Sequence, residues 1–202
     1  MGLFDTLLGR TKPVQADLDA LFGLPSAAIT LESASGMTVS GHAGVCYKPP
    51  SGQGFTEMQA EVEKLLAMDG TSTLRSADDA YGYHWVVIDN TDVGELVNQV
   101  HVVNSSLSDA GWGPQLLCSV FGLAGEIDSD AGEPTGGEVT LQPSTAYLVY
   151  LFKRGTFYPF VPAGGEQRDT ATEMKLKSLL ADDLAIEAEL DRWFPLWALP
   201  VS

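Results

Sequence analysis

The sequence predicts an α+β protein, an antiparallel sheet with flanking helices, and three observations predict it. Residues 91–111, TDVGELVNQVHVVNSSLSDAG, set Val93, Leu96, Val97, Val100 and Leu107 on a 3.6-residue period. Two later runs, PQLLCSVFGLA and TAYLVYLFKRG, are apolar almost without a break, as strands covered on both faces are. A further helical pattern begins near residue 170, so a helix, three antiparallel strands and a helix over residues 92–180 form the organising element.

Taken in order, MGLFDTLLGRTKP puts Leu3, Phe4, Leu7 and Leu8 on one face of a short amphipathic helix that Gly9 and Pro13 end. DLDALFGLP reads as a short helix with Asp17 near its start and Gly23 and Pro25 as its stop, and AAITLE and AGVCYK read as short strands. Thr56 is placed to cap a helix carrying Met58, Val62, Leu65 and Leu66, with Gln59 reaching back and Gly70 as the end. YGYHWVVID, 81–89, is rich in aromatic and β-branched residues and reads as a strand. Asp92 or Thr91 caps the long helix and Gly111 marks its end. The segment 125–143, dense in glycine, proline and carboxylates, reads as an exposed acidic loop between two antiparallel strands. Thr170 and Glu173 form a capping box ahead of Met174, Leu176, Leu179 and Leu180. The tail from 190 to 202 holds two tryptophans and two prolines within DRWFPLWALP, which suits an extended segment packed on the body with its rings buried. Residues 1–202 thus read as one domain, large enough at 45% hydrophobic residues to bury a substantial core.

A net charge of −16 opposes binding to phosphate backbones and to anionic lipid, both of which need clustered Lys and Arg, so nucleic acid is excluded as a partner class. The acidity suits an ordinary soluble protein and equally one kept in solution in a salty cytoplasm. Cys46 and Cys118 match neither a disulfide framework nor a paired zinc motif, and reduced structural thiols are expected. No apolar run approaches a membrane span and the N-terminus lacks secretory-signal features, so a cytoplasmic location is expected, with membrane contact at most peripheral, at the inner face, through the N-terminal helix.

The residues with chemical potential are His42, His84, His101, Cys46 and Cys118. His42 and Cys46 are four apart, but Gly41 and Gly44 argue for a turn and strand, where that spacing does not converge ligands. His84 and His101 border apolar patterns as half-buried histidines do. Neither thiol has the helix N-terminus or adjacent cation that would activate it. Asp78-Asp79 and Asp182-Asp183 fall in polar connectors, and no phosphate-binding glycine motif is present. Gly164-Gly165 near Arg168 reads either as an anion nest or as a turn. No metal, cofactor or catalytic set is therefore expected.

One stretch interrupts the acidity. In YLVYLFKRGTFYPFVP, Lys153, Arg154 and Gly155 form the turn of a hairpin, and with Arg168 these hold three of eleven cations. They either pair internally or mark a recognition edge, with Lys153, Arg154, Phe157, Tyr158 and Phe160 as candidate contact residues beside Leu3, Phe4 and Leu7 of the N-terminal helix.

Several of these stretches, MGLFDTLLGRTKP, LDALFGLPSAAITLE, YGYHWVVI, VNSSLSDAGWGPQLLCSVFGL, YLVYLFKRGTFYPFVPAGGEQRD and DRWFPLW, together resemble PspAB, the PspA-associated protein family of prokaryotic phage-shock (envelope stress) systems. The resemblance implies a setting beside a PspA-type membrane-remodelling coiled-coil protein, and often a membrane metalloprotease, but no reaction. The expected function is that of a non-enzymatic adaptor whose partner is the PspA-type protein or another phage-shock component. Two other readings stand beside it. One is a small-molecule-binding protein or small enzyme with a pocket near Tyr83, His84, Trp85 and Cys118. The other is a chaperone-like module, secretion-chaperone-like (YbjN-like) in arrangement, holding a partner segment on its sheet.

Overall fold

A computed structural model describes residues 16–68, 74–125 and 145–201. The expected N-terminal helix, including Leu3, Phe4 and Leu7, the expected end at Gly70 of the helix carrying Met58 and Val62, and nearly all of the acidic loop lie outside the described residues.

A 3₁₀ turn, Leu18–Gly23, leads directly into α1, Leu24–Ser35. Here the expectation fails, because AAITLE is helical. Pro25 does not stop the preceding helix but sits in the first turn of α1, where its missing N–H costs nothing. Leu24, Ala27, Leu31 and Ser35 are the buried stripe, and Gly36 closes the helix at φ 71°, which glycine alone adopts without strain. Then follow β1, Thr38–Tyr47, and α2, Gln53–Met68, which starts before Thr56 and so leaves that residue inside the helix rather than at its cap. The strands β2, Leu74–Asp78, and β3, His84–Asp89, precede α3, Val93–Leu107. Asp92 caps α3 as expected, accepting the Glu95 N–H at 2.9 Å. The α-helical stretch ends at Leu107 and runs on into a π turn, Ser108–Trp112, which breaks at Gly111 with φ 92°.

The runs predicted as covered strands are β4, Leu116–Ala124, and β5, Ala146–Leu151, followed by β6, Thr156–Phe160, and α4, Thr170–Leu180. The cap of α4 is Asp169, whose side chain accepts from Thr172 N–H at 3.0 Å. Glu173 leaves the expected capping box and turns inward. The described strands form one antiparallel sheet in the order β2-β3-β1-β4-β5-β6. Pro159 lies in β6, at the edge where a residue without an N–H is tolerated. That edge is itself covered: Phe157 donates to Ala185 O and accepts from Glu187 N–H, so residues 185–187 run alongside β6 in parallel.

Both faces of the sheet are buried. Val45, Val86, Ile88, Phe121, Leu148 and Tyr150 meet a layer built from α1, α2, α3 and Leu176 and Leu180 of α4. The alternate residues, among them Trp85, Val87, Val120, Val149, Tyr158 and Phe160, meet Trp193 and Val201 of the tail, with Leu196, Trp197 and Leu199 packed against them. In the tail Trp193 is buried, while Phe194 stays exposed. This chain itself covers much of both faces over β1 and β3 to β6, while β2 at the sheet edge stays largely exposed.

Asn104 of α3 crosses the interface to the sheet, donating to Ser119 Oγ at 2.9 Å. Gly44 of β1 creates the seat for the end of the tail: a Cβ there would lie 2.7 Å from Val201 Cγ2 and 3.0 Å from Trp85 Cε3. Gly44→Val, although favourable for a strand, is therefore expected to cost about 1–3 kcal/mol in urea unfolding. It should also open the tail to carboxypeptidase faster than in the parent.

Candidate functional site

The hairpin turn between β5 and β6 is tight. Gly155 at φ 68° donates its N–H to Leu151 O at 2.9 Å, and a Cβ on it would meet Asp17 Cβ at 2.8 Å. The two cations of the turn are already engaged. Lys153 Nζ donates to Pro114 O at 3.0 Å, and Arg154 grips Glu187 through Nε and Nη2 and reaches Glu189 Oε1 at 3.5 Å. Glu187 is 1% exposed and also accepts from Thr156 Oγ1 at 2.8 Å and Glu189 N–H at 3.1 Å. Burial acts to raise its pKa, but the hydrogen bonds from Arg154, the Glu189 N–H and Thr156 outweigh it and hold the carboxyl down at about 2.

Arg168 has a parallel role and does not complete an anion nest. Its Nε donates to Glu173 Oε1 at 2.8 Å, its Nη1 bonds Trp193 O, and its guanidinium lies 5.4 Å from the Phe160 ring centre. Glu173 accepts in addition from Val161 N–H at 3.0 Å. Phe157, Tyr158 and Phe160, expected on a contact edge, are interior residues, at most 1% exposed. The alternation of β6 sends Phe157 to the helical side and the other two to the tail side, and both sides are covered.

The histidines do not converge. His42 Nδ1 pairs with Asp89 at 2.7 Å and His84 Nδ1 with Asp78 at 2.6 Å, while His101 packs against Phe22 with ring centres 5.0 Å apart. His42 and Cys46 are separated by about 13 Å of strand. Among the described residues no group of three or more His, Cys, Asp or Glu could hold a metal ion.

The sequence reading did not bring the two cysteines together; the sheet does. Cys46 of β1 and Cys118 of β4 are direct cross-strand partners, both buried and both free thiols. The hydrogen bond with Cys118, then burial, with the nearby Asp79 carboxylate adding to them, push the Cys46 thiol well up, away from the reactive thiolate.

Both thiols line a cavity of about 700 Å³ between the second face of the sheet and the tail. The expected pocket is thus present for Tyr83, Trp85 and Cys118 but not for His84. Neighbours on a strand point to opposite faces, and His84 borders a separate cleft of about 170 Å³ with Tyr47, Phe55 and Asp78. Asp79, Tyr81 and Trp197 belong to the cavity and were missed, since nothing local to their sequence places the tail over β3. Asp79 is held in position by three donors: the N–H groups of Tyr81 and Tyr83 at 2.9 Å each and Trp85 Nε1 at 3.0 Å. At the other wall Tyr158 donates its hydroxyl to Phe194 O at 2.8 Å, and burial pushes that phenol up.

The family model of PspAB, PspA associated protein B, matches residues 1–201. The chain belongs to this family. No curated protein and no solved structure matches it, so the secretion-chaperone-like (YbjN-like) arrangement gains no support from a solved fold. Membership fits an accessory role in a PspA-linked stress response, and among the described residues no helix is long and apolar enough to cross a membrane.

Two outcomes follow from the site. Because the Glu187 pKa is depressed on folding, its contribution is fully present above pH 4.5 and is lost as pH falls towards 2. Glu187→Gln should lose on the order of 2 kcal/mol at pH 7 and flatten the acid limb of a stability–pH curve by the same amount. At pH 8 the folded chain should be alkylated by iodoacetamide at least about tenfold more slowly than the chain in guanidinium.

Proposed function

We propose that this chain is a non-enzymatic accessory protein of a PspA-type membrane stress response, working at the inner face of the membrane through contacts with the PspA-type coiled-coil protein or another phage-shock component. The observation that carries the reading is the family match over residues 1–201. The chemistry of the hairpin and the histidines agrees with it, since their charged groups are engaged in pairs that hold the fold. Contact is proposed at the outer end of the hairpin, where Lys153 is exposed, and at the N-terminal residues Leu3, Phe4 and Leu7.

Arg154 is a poor probe of this contact, because removing it strands the buried Glu187 carboxylate. Lys153→Glu is the cleaner variant, because Lys153 Nζ donates to the exposed Pro114 carbonyl and its removal strands no buried charge. The tagged full-length chain should retain the PspA-type protein on an affinity resin, and Lys153→Glu should weaken retention severalfold with circular dichroism unchanged. Failure of the parent chain to retain it, with or without cross-linking, removes the PspA-type protein as the direct partner. Equal retention by Lys153→Glu removes the hairpin from the contact.

A second reading, a small-molecule-binding protein, is favoured by one observation: the cavity of about 700 Å³ that holds three of the four residues expected to line a pocket. The two readings are compatible, since the cavity and the outer end of the hairpin are separate surfaces.

A further inference from the structure

We propose that the cavity under the tail binds an organic cation with an apolar body, an amine or quaternary ammonium carrying an aromatic or aliphatic group. This rests on the small-molecule reading of the same cavity and names its ligand class.

The lining is chemically one-sided. Tyr81, Tyr83, Trp85, Tyr158 and Trp197 supply aromatic rings, and Asp79 supplies the one ionisable carboxylate, with no Lys or Arg among the described lining residues. An anion entering would meet Asp79 unpaired, inside a chain whose net charge is −16. A neutral apolar molecule would gain only burial. A cation with an apolar body gains burial, the attraction of ring faces and the attraction of the carboxylate together. Asp79 is suited to this because its donors fix it without a counter-cation: three N–H groups occupy three of roughly four acceptor positions and leave its charge uncompensated.

The same aromatic cluster already accepts cations from the chain itself at its margin. Arg168 lies over the Phe160 ring at 5.4 Å and Lys177 over the Trp193 ring at 6.0 Å. Neither these cations nor the two rings they cover line the cavity, and among the described residues no Lys or Arg of the chain lies over the rings that do. The buried thiols of Cys46 and Cys118 form part of the floor as small hydrophobic groups, and its bond to Cys118 and burial push the Cys46 thiol up, away from an anionic form.

Calorimetric titration of the full-length chain with three probes sharing one naphthyl group decides the matter: 2-naphthylmethyl-trimethylammonium, 2-naphthylmethanol and 2-naphthylacetate. The ammonium should bind about tenfold or more tightly than the alcohol, and the carboxylate more weakly than either. Asp79→Asn should erase the preference, whereas Asp182→Asn, which removes an equal charge from the exposed surface, should leave it intact. Should Asp79→Asn fail to fold, Tyr81→Leu carries the test, because Tyr81 is 55% exposed and expendable for the core. It should lower ammonium affinity severalfold and leave the alcohol nearly unchanged. If alcohol and ammonium bind equally, the cation assignment falls and the cavity reading stands. If none of the three binds, both fall.

Discussion

Two buried carboxylates, each met by an arginine, hold the C-terminal third of this chain to its sheet. Glu187 receives Arg154 from the hairpin turn, and Glu173 receives Arg168, whose other nitrogen reaches Trp193 O. Neither carboxylate is reached by its arginine alone: Glu187 also accepts from Thr156 and Glu189, and Glu173 from the Val161 N–H. A buried ion pair offsets its desolvation cost only when such additional bonds are made. The consequence is architectural. Residues 185–187 are pinned along β6, and the chain beyond them is directed back across the second face of the sheet to Val201. Without that return, Val87, Val120, Val149 and Phe160 would be bare.

This constraint also explains how a strongly acidic chain uses its few cations. Arg154, Arg168, Arg192, Arg75 and Lys64 all lie within ion-pair distance of carboxylates of the same chain. Pairs on the exposed surface, such as Lys64 with Glu61, contribute little, but those at Glu173 and Glu187 are sited where the alternative is an unpaired buried charge. Positive charge is therefore concentrated where it closes the fold, and the outward field remains negative. The hairpin that looked like a basic edge in sequence is, for Arg154, a structural clamp.

Much of the fold was legible because its signals are local. The period of α3, its Asp92 cap, the unbroken apolar runs of β4 and β5 and the Gly155 turn all follow from neighbouring residues. AAITLE misled because β-branched Ile29 and Thr30 suggest a strand, while the decisive signal, Pro25 in a first helical turn, has the same identity as a stop. The site was legible only in part. Tyr83 and Trp85 were found through their aromatic strand, yet the inclusion of His84 overlooked the two-residue alternation that was already in view. Cys46 and Cys118 meet because β1 pairs with β4, a neighbour remote in sequence, and no composition or spacing specifies that partner. Asp79, Tyr81 and Trp197 depend on the tail's path, which is set by Glu187 and Glu173.

The cavity and the clamp share residues. Tyr158 lines the cavity and bonds Phe194 O, at the start of the segment that roofs it, while Arg168 holds the preceding residue by its carbonyl. Filling the space under the tail therefore stabilises the seated tail relative to a lifted one, by an amount set by ligand concentration over dissociation constant. Reciprocity requires that whatever favours the seated tail also tightens binding in the cavity. Since Glu187 is bonded to the hairpin turn at one end and accepts Glu189 N–H at the other, the turn bearing Lys153 stands on the same clamp. The turn bearing Lys153 and the roof of the cavity thus stand on one short stretch of chain, residues 185–194, held by the same buried carboxylate and its partners.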